Sequence, residues 1–405
     1  MASVRHIVLF LLTTTVCAGE RRADAEHRRQ ADGVSETQLV QSGRVGRQPT
    51  RRMDGAHPEQ AIGDRQPTAY EFEPIASSPR EVELTRITSL STDSKGNVYV
   101  ADFGTMTVYV FSSDGSLVRR IGRRGGGPGE FRSISTVQVV ERDSLYVFDA
   151  DQQRLTVFLP HSNAVAYSRT LRAVGGHYWV KKALGTNLLF SAYRQSFAPS
   201  GSPARDTGRV EVIRTLRPDG SIVGNSLLVF PASDFLVLRA QGRVMVGANP
   251  FGRRGLFDLT PGGQLVYSGT DTIFVRIVAR NGERRRGFRV HAPPVRLTGA
   301  DIQREMDAKS DPAMQRLVRA AAPSTWPPLR SLVVDDYSRI WLGLTGPGGS
   351  GGPWVVYDTL GRQIGRASVP ANVDIKAIKS GHAYGVAFDE LDVPTIVIYR
   401  IRERR

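Results

Sequence analysis

From Tyr70 onward, apolar and polar residues alternate over short runs, and Gly, Asp, Pro or Asn closes each run. Side chains along an extended chain point to alternate faces, so this period of two predicts strands joined by tight turns. The clearest unit covers residues 87–131. A first strand over 87–93 ends in the turn Asp93-Ser-Lys-Gly96-Asn97, and Val98-Tyr-Val-Ala-Asp102 and Val108-Tyr-Val-Phe111 follow. Ser113-Asp114-Gly115 then turns the chain into a fourth strand over 117–121. Four strands form one antiparallel sheet with both faces still uncovered, so the unit needs neighbours of its own kind.

The neighbours are present along the chain. Residues 135–171 repeat the unit, with Leu145-Tyr-Val-Phe-Asp149 in the place of the second strand. A third copy begins near Tyr178, with residues 188–192 as its inner strand and 210–214 after a long connection. A fourth uses 256–259, 265–268 and 274–278. A fifth uses 332–335, 340–343 and 354–357, and a sixth uses 375–378, 383–387 and 396–400. The sixth copy reaches Arg405 with three strands, and residues 70–75, ahead of the first copy, are the simplest source of its fourth. The predicted architecture is an all-β, six-bladed β-propeller with four-stranded antiparallel blades, closed by an N-terminal strand that leaves no open sheet edge.

Two segments interrupt the blades. Residues 193–209, rich in Gly, Pro, Ser and Arg, predict a long loop in the third copy. Residues 298–323 predict a short helical insertion between the fourth and fifth. Thr298-Gly-Ala-Asp301 has the spacing of a capping box, and Asp311-Pro312 supplies a cap and an N1 proline before Met314, Leu317, Val318 and Ala321. A packing brace is preferred over a lid for this pair.

Ahead of the blades the composition changes. Residues 1–18 read as an export signal: Arg5 and His6, an apolar run over 7–12, and Val16-Cys17-Ala18 with small residues at −3 and −1. Residues 19–68 are polar, nearly free of aromatics and without periodicity, which predicts a disordered linker. The propeller is assigned to residues 69–405. Cys17 is the only cysteine and would leave with the signal, so the mature chain would hold no disulfide, thiolate nucleophile or cysteine-bound metal. No other stretch is long enough to span a bilayer, which predicts a soluble secreted or periplasmic protein, read as a monomer.

The formal charge of +15 lies almost wholly on the propeller, since residues 19–80 carry equal numbers of Arg and acids. The arginines are scattered over many loops and are not interleaved with aromatics, so nucleic acid is not the expected partner.

Within the first copy, the composite of Asp93-Ser-Lys-Gly-Asn-Val-Tyr-Val-Ala-Asp102, Val108-Tyr-Val-Phe111, Asp114-Gly115, Ile121-Gly122 and Gly127-Pro-Gly-Glu-Phe131 resembles an NHL repeat. The span from Tyr70 onward is similar to bacterial exported six-bladed propellers related to NHL proteins. That resemblance implies the fold and leaves the activity open.

In a propeller, the loops after each second strand gather at one mouth of the channel. Asp102, Asp149 and Asp151 fall there in the first two copies and Tyr193 and Arg194 in the third, with Asp271, Asp389 and Glu390 further on. Such a ring of carboxylates would suit Ca²⁺, and His177 with His382 and a water would suit Zn²⁺. The competing reading is that each Asp caps a strand end, and no cofactor is the adopted expectation. The glycine-rich runs at 125–129 and 346–352 lack the Lys-Ser/Thr of a phosphate loop, and no Ser sits in a nucleophile elbow. Trp341 and Trp354 are read as core, and the loop aromatics Tyr193, Phe197 and Phe251 as contacts for sugar or protein.

The expected function is non-catalytic binding of a protein, peptide or glycan at the propeller mouth, through Asp102, Arg123, Arg124, Asp149, Asp151 and Tyr193. The alternative is a metal-dependent lyase or lactonase built on Asp102, Asp149 and His382.

Overall fold

The computed structural model describes residues 66–171, 178–185, 187–193, 210–240 and 243–404. The expected signal, nearly all of the expected linker, His177, Arg194, Phe197 and most of the long loop lie outside the described residues. Among the described residues no helix is long and apolar enough to cross a membrane.

The architecture is all-β and propeller-like, with antiparallel four-stranded blades and few helices. Four repeats each form a separate four-stranded sheet, and two more are the halves of an eight-stranded sheet. In the first unit Ile87–Thr92, Val98–Asp102, Thr107–Phe111 and Leu117–Ile121 follow in order. The pattern explains why: Val98, Val100, Tyr99, Ala101, Val108 and Val110 are buried on both faces of the two middle strands. A strand covered on both sides reads as a continuous apolar run, not as an alternation. In the third unit the predicted strand over 188–192 forms, within the second strand of its sheet. Tyr178–Leu184 is the first strand and Asn187–Tyr193 the second. Lys181 and Lys182 break the apolar run of the first strand, which hides it from a hydrophobicity pattern.

First strands of the first three units pack in succession, as do those of the fourth to sixth, and that of the last, Val373–Lys379, packs beside Ile87–Thr92 of the first. Their cores interlock. Tyr384, Val386, Ile396 and Ile398 of the last unit form one cluster with Leu90, Val98, Val100 and Phe111 of the first. Across the same junction Lys379 Nζ donates to the carbonyls of Thr92 and Asp93, at 3.5 and 3.4 Å. Asp258, on the fourth unit's first strand Gly255–Leu259, accepts from Lys182 of the third unit and from the backbone N–H of Val334 in the fifth.

The segment Thr68–Ser77 pairs antiparallel with Pro394–Arg404, from Ala69 opposite Arg404 to Ser77 opposite Val397. Its first residues also pair in parallel with Gln363–Ser368 of the fifth unit, which merges the two units into one sheet. Tyr70 and Phe72 pack on Trp341, at ring separations of 5.0 and 6.0 Å. Trp341 and Trp354 are both buried, as expected of core residues.

The helical insertion forms where its caps predict, as α1 (Gly299–Asp307) and α2 (Pro312–Ala321) between the fourth and fifth units. Thr298 Oγ1 accepts from Asp301 N–H, while an Asp301 carboxylate oxygen accepts from Thr298 N–H at 2.9 Å. Asp311 caps α2 by accepting from Ala313 and Met314. The sequence reading missed a hairpin, Phe235–Ala240 with Arg243–Ala248, that shares a small core with α2. Leu236, Phe251, Met314, Val318 and Trp326 meet there, so the helices are a packed brace. Phe251 is therefore a core residue and not an exposed contact, with its ring 5.2 Å from that of Trp326.

Candidate functional site

Asp102 and Asp149 end equivalent second strands and do equivalent work. Asp102 is fully buried. Its oxygens accept from the N–H groups of Thr85, Arg86 and Gly104, each at 2.9 Å, and from Thr85 Oγ1 at 2.7 Å. Asp149, also fully buried, accepts from the N–H groups of Arg132, Ser133 and Gln152 and from the Gln152 amide. Each carboxylate thus staples the chain entering a blade to the end of that blade's second strand. The strand-capping reading accounts for both, because a carboxylate engaged by so many internal donors has no face left for a ligand. Gly104 is required beside Asp102, since a Cβ there would sit 1.8 Å from Thr85 Oγ1.

Arg123 is exposed and pairs with Glu130 at 2.8 Å, and Glu130 in turn accepts from Gly127 N–H at 2.9 Å. Arg124 donates to the Gly104 carbonyl at 3.0 Å. These contacts strap the glycine-rich connection to the first blade's loop, so Arg123 and Arg124 lie at the same end as Asp102. Asp151 is exposed beside Asp149. Tyr193 closes the second strand of the third unit.

The lyase or lactonase reading needs Asp102, Asp149 and His382 together, and the topology separates them. Asp102 ends a second strand whereas His382 begins one, His382–Phe388, which puts them at opposite ends of the blades. The His382 ring is engaged with the Ser380 carbonyl at 2.9 Å. Among the described residues no three His, Asp or Glu side chains converge as metal ligands.

A different cluster gathers on the fourth, fifth and sixth units. Arg254 directly precedes Gly255–Leu259, Arg330 is the second residue of Leu329–Val334, and Asp374 is the second residue of Val373–Lys379. All three therefore stand where a first strand begins. Lys376 Nζ bonds Asp374 at 2.6 Å, and Ser331 Oγ reaches it at 3.5 Å. Asp374 keeps 28% of its side-chain surface open to water.

Burial pushes the Asp374 carboxyl up, but Lys376, Arg330 and Arg254 outweigh it and hold the group below its ordinary range. The protein around it draws the guanidinium pKa of Arg254 down, opposed by Asp374, although the side chain itself remains exposed. Arg330 is lowered in the same way, and the nearby Arg254 adds to the effect. Three cations thus share one carboxylate that stays in reach of water.

The backbone of Arg254 is fixed by Thr270, which accepts its N–H through Oγ1 and donates its own N–H to its carbonyl, both at 2.9 Å. The Arg254 guanidinium makes no hydrogen bond to any described residue. Arg330 donates to the Gly349 carbonyl at 2.9 Å, and Arg304 of α1 donates to the neighbouring Gly348 carbonyl at 2.8 Å. The helical brace therefore reaches the cluster through one short loop. That loop depends on glycine, because a Cβ on Gly349, at φ +74°, would lie 2.8 Å from the Trp326 ring.

None of these residues was a sequence candidate. The available signal was the alternation of charge in Val373-Asp-Ile-Lys-Ala-Ile-Lys379 and the lone Arg of Leu329-Arg-Ser-Leu-Val-Val334. Attention to the loops after second strands passed over charges within first strands.

The Asp374 shift sets a pH dependence. An unfolded carboxyl titrates near about 4. A folded value below that adds stability in full above the unfolded value, and the gain fades as pH falls through the folded value. Asp374→Asn should cost about 1–2 kcal/mol near neutral pH, because it leaves three cations without their carboxylate at positions that water partly screens. The difference from wild type should close as both are acidified, which thermal unfolding from about pH 7 to about pH 3 would read. A variant as stable as wild type at neutral pH would show that Asp374 does not hold the cluster together.

Comparison with known proteins agrees with a β-propeller. The family model DUF5128, 6-bladed beta-propeller, matches residues 78–169. No curated protein matches the chain. Similar solved structures include a putative exported protein from Bacteroides fragilis, at 11% identity over 83% of this chain and 95% of that one, with TM-score 0.48. A DUF4221 family member from Bacteroides vulgatus has 11% identity over 84% and 98%, with TM-score 0.49. A gluconolactonase from Xanthomonas campestris has 12% identity over 84% and 99%, with TM-score 0.43.

Proposed function

We propose that this chain is an exported, monomeric, six-bladed propeller of NHL-like type, closed by its strand Thr68–Ser77. Its work is to bind, without catalysis, an anionic group of a protein, peptide or glycan at one mouth of the channel. The observation that carries the reading is the Arg254 guanidinium: open to solvent at the start of a first strand, anchored through its backbone, set near Arg330, and without a hydrogen-bond partner among the described residues. Two guanidinium groups held close together repel each other, and a ligand carboxylate would relieve this by accepting the free Arg254 donors in a two-pronged bond. The N-terminal leader pattern and the family match to a six-bladed propeller support the export and blade-number parts. Asp102 and Asp149 then act as loop staples, while Arg123, Arg124 and Asp151 form the rim on the far side of the mouth.

Arg254→Gln separates binding from folding because it removes no internal hydrogen bond. The variant should fold with a melting temperature equal to or slightly above wild type, since a like-charge contact is relieved. Its affinity for acidic ligands should fall about tenfold or more, the usual weight of a charge-assisted bidentate contact. Calorimetric titration with glutamate-rich peptides and oligogalacturonates would measure this. Equal binding by wild type and variant would end the reading.

A further inference from the structure

Beside the cationic cluster stands a surface of opposite character. The loop between His382–Phe388 and Pro394–Arg404 exposes Phe388, Leu391 and Val393, with Leu391 84% accessible. Three exposed apolar side chains within six residues form a patch, where a scattered few would need no account. The tip is held out by its own bonds, since the Asp389 carboxylate accepts from the N–H groups of Leu391 and Val393, each at 2.9 Å. Its root is tied to the mouth. Phe388 N–H donates to the Asn372 carbonyl at 3.1 Å, and the Asn372 amide donates to the Phe388 carbonyl at 2.9 Å. Asn372 is two residues from Asp374, so tip and cluster rise from the same end of one strand. Asp389 and Glu390 lie exposed on the tip and give its apolar surface a negative collar.

We infer that the ligand is a protein segment that places a carboxylate among Arg254, Arg330 and Lys376 and lays an apolar side chain, with a basic residue close by, on the Phe388–Leu391–Val393 tip. The inference rests on the anionic-ligand reading above and narrows it. A uniformly acidic polymer such as a polyuronate satisfies the cluster but is repelled by the collar and offers nothing to Leu391. A peptide carries both signs of charge and apolar side chains at residue spacing, so it answers both surfaces at once.

The test begins with random linear peptides displayed on phage and selected on the immobilised full chain. Enriched sequences should combine Asp or Glu with Leu, Phe or Met and a nearby Lys or Arg. A synthetic peptide of the leading sequence is then titrated by fluorescence anisotropy against wild type, Arg254→Gln and Leu391→Ser. Leu391 is so exposed that its replacement leaves the fold intact, and each variant should weaken binding about tenfold.

Loss with Arg254→Gln but not with Leu391→Ser would leave the anionic site standing and overturn the protein-segment assignment. So would selection of no peptide together with oligogalacturonate binding that depends on Arg254. Loss with Leu391→Ser alone, or no binding by any probe, would overturn the anionic site and the inference with it.

Discussion

Asp102→Ala is expected to lower the melting temperature by about 4–7 °C while leaving the ligand site intact in the molecules that remain folded. The carboxylate accepts from three backbone N–H groups and one hydroxyl in a place closed to water. Alanine cannot accept, so those donors are left unsatisfied, and the loss of a buried hydrogen-bonded charge costs about 3–5 kcal/mol. With an unfolding entropy of about 2.1 cal/mol/K per residue over roughly 340 residues, each kcal/mol moves the transition by about 1.4 °C. Differential scanning calorimetry reads the shift directly. A variant that melts like wild type but loses a ligand would show Asp102 to be a contact residue after all, as the loop position first suggested. Asp149→Ala should behave in the same way, since that carboxylate performs the same stapling in the second unit.

The second large effect is expected from removing the strand Thr68–Ser77. Deletion up to Ser77 should yield a chain that aggregates or melts more than about 10 °C lower. The strand covers Trp341 with Tyr70 and Phe72 and places Phe72 6.0 Å from Tyr399. It also fills the ladder of Pro394–Arg404 on one side and part of Gln363–Ser368 on the other. Without it two strand edges and a tryptophan face water, and open edges recruit other chains. Its Glu73 and Glu71 pair with Arg402 and Arg404 at 2.8 and 3.3 Å, which aligns the register but adds little energy at such exposed positions. Size-exclusion chromatography with thermal unfolding tests the deletion. A synthetic peptide of residues 66–80 added in trans should restore much of the stability by occupying the vacant place in the sheet. A deleted chain that stays monomeric and melts like wild type would refute the closing role.

Much of the fold was legible because the signals are local. Residues 93–102 announce a turn and a buried strand through a handful of neighbours, and Gly96 at φ +82° reverses the chain there. Asp335 repeats the device with different residues. It accepts from Tyr337, Arg339 and the Trp341 indole, and Ser338 takes the positive φ of 62°. The same turn with serine in place of glycine makes the fifth repeat look degenerate in sequence. The helix caps were equally readable, because a cap is a contact between residues three positions apart. The extent of the third unit's first strand was not legible, and the hairpin at 235–248 went unseen. Both are defined by partners that a hydrophobicity pattern does not contain.

The chain by itself determined that strands recur in four-stranded units, where they turn, and that a capped helical pair interrupts them. These follow from side-chain alternation, backbone stereochemistry and short-range hydrogen bonding. Only the tertiary structure decided what the charges do. Asp102 and Asp149 look like mouth ligands in sequence and become buried staples, because the fold brings backbone donors from about seventeen positions away onto their oxygens. Arg254, Arg330 and Asp374 look unremarkable and lie far apart along the chain, yet three separate strands start side by side and crowd them together. A charge acquires its role from its distance to other charges and from the water it has lost, and neither quantity exists until distant strands have packed.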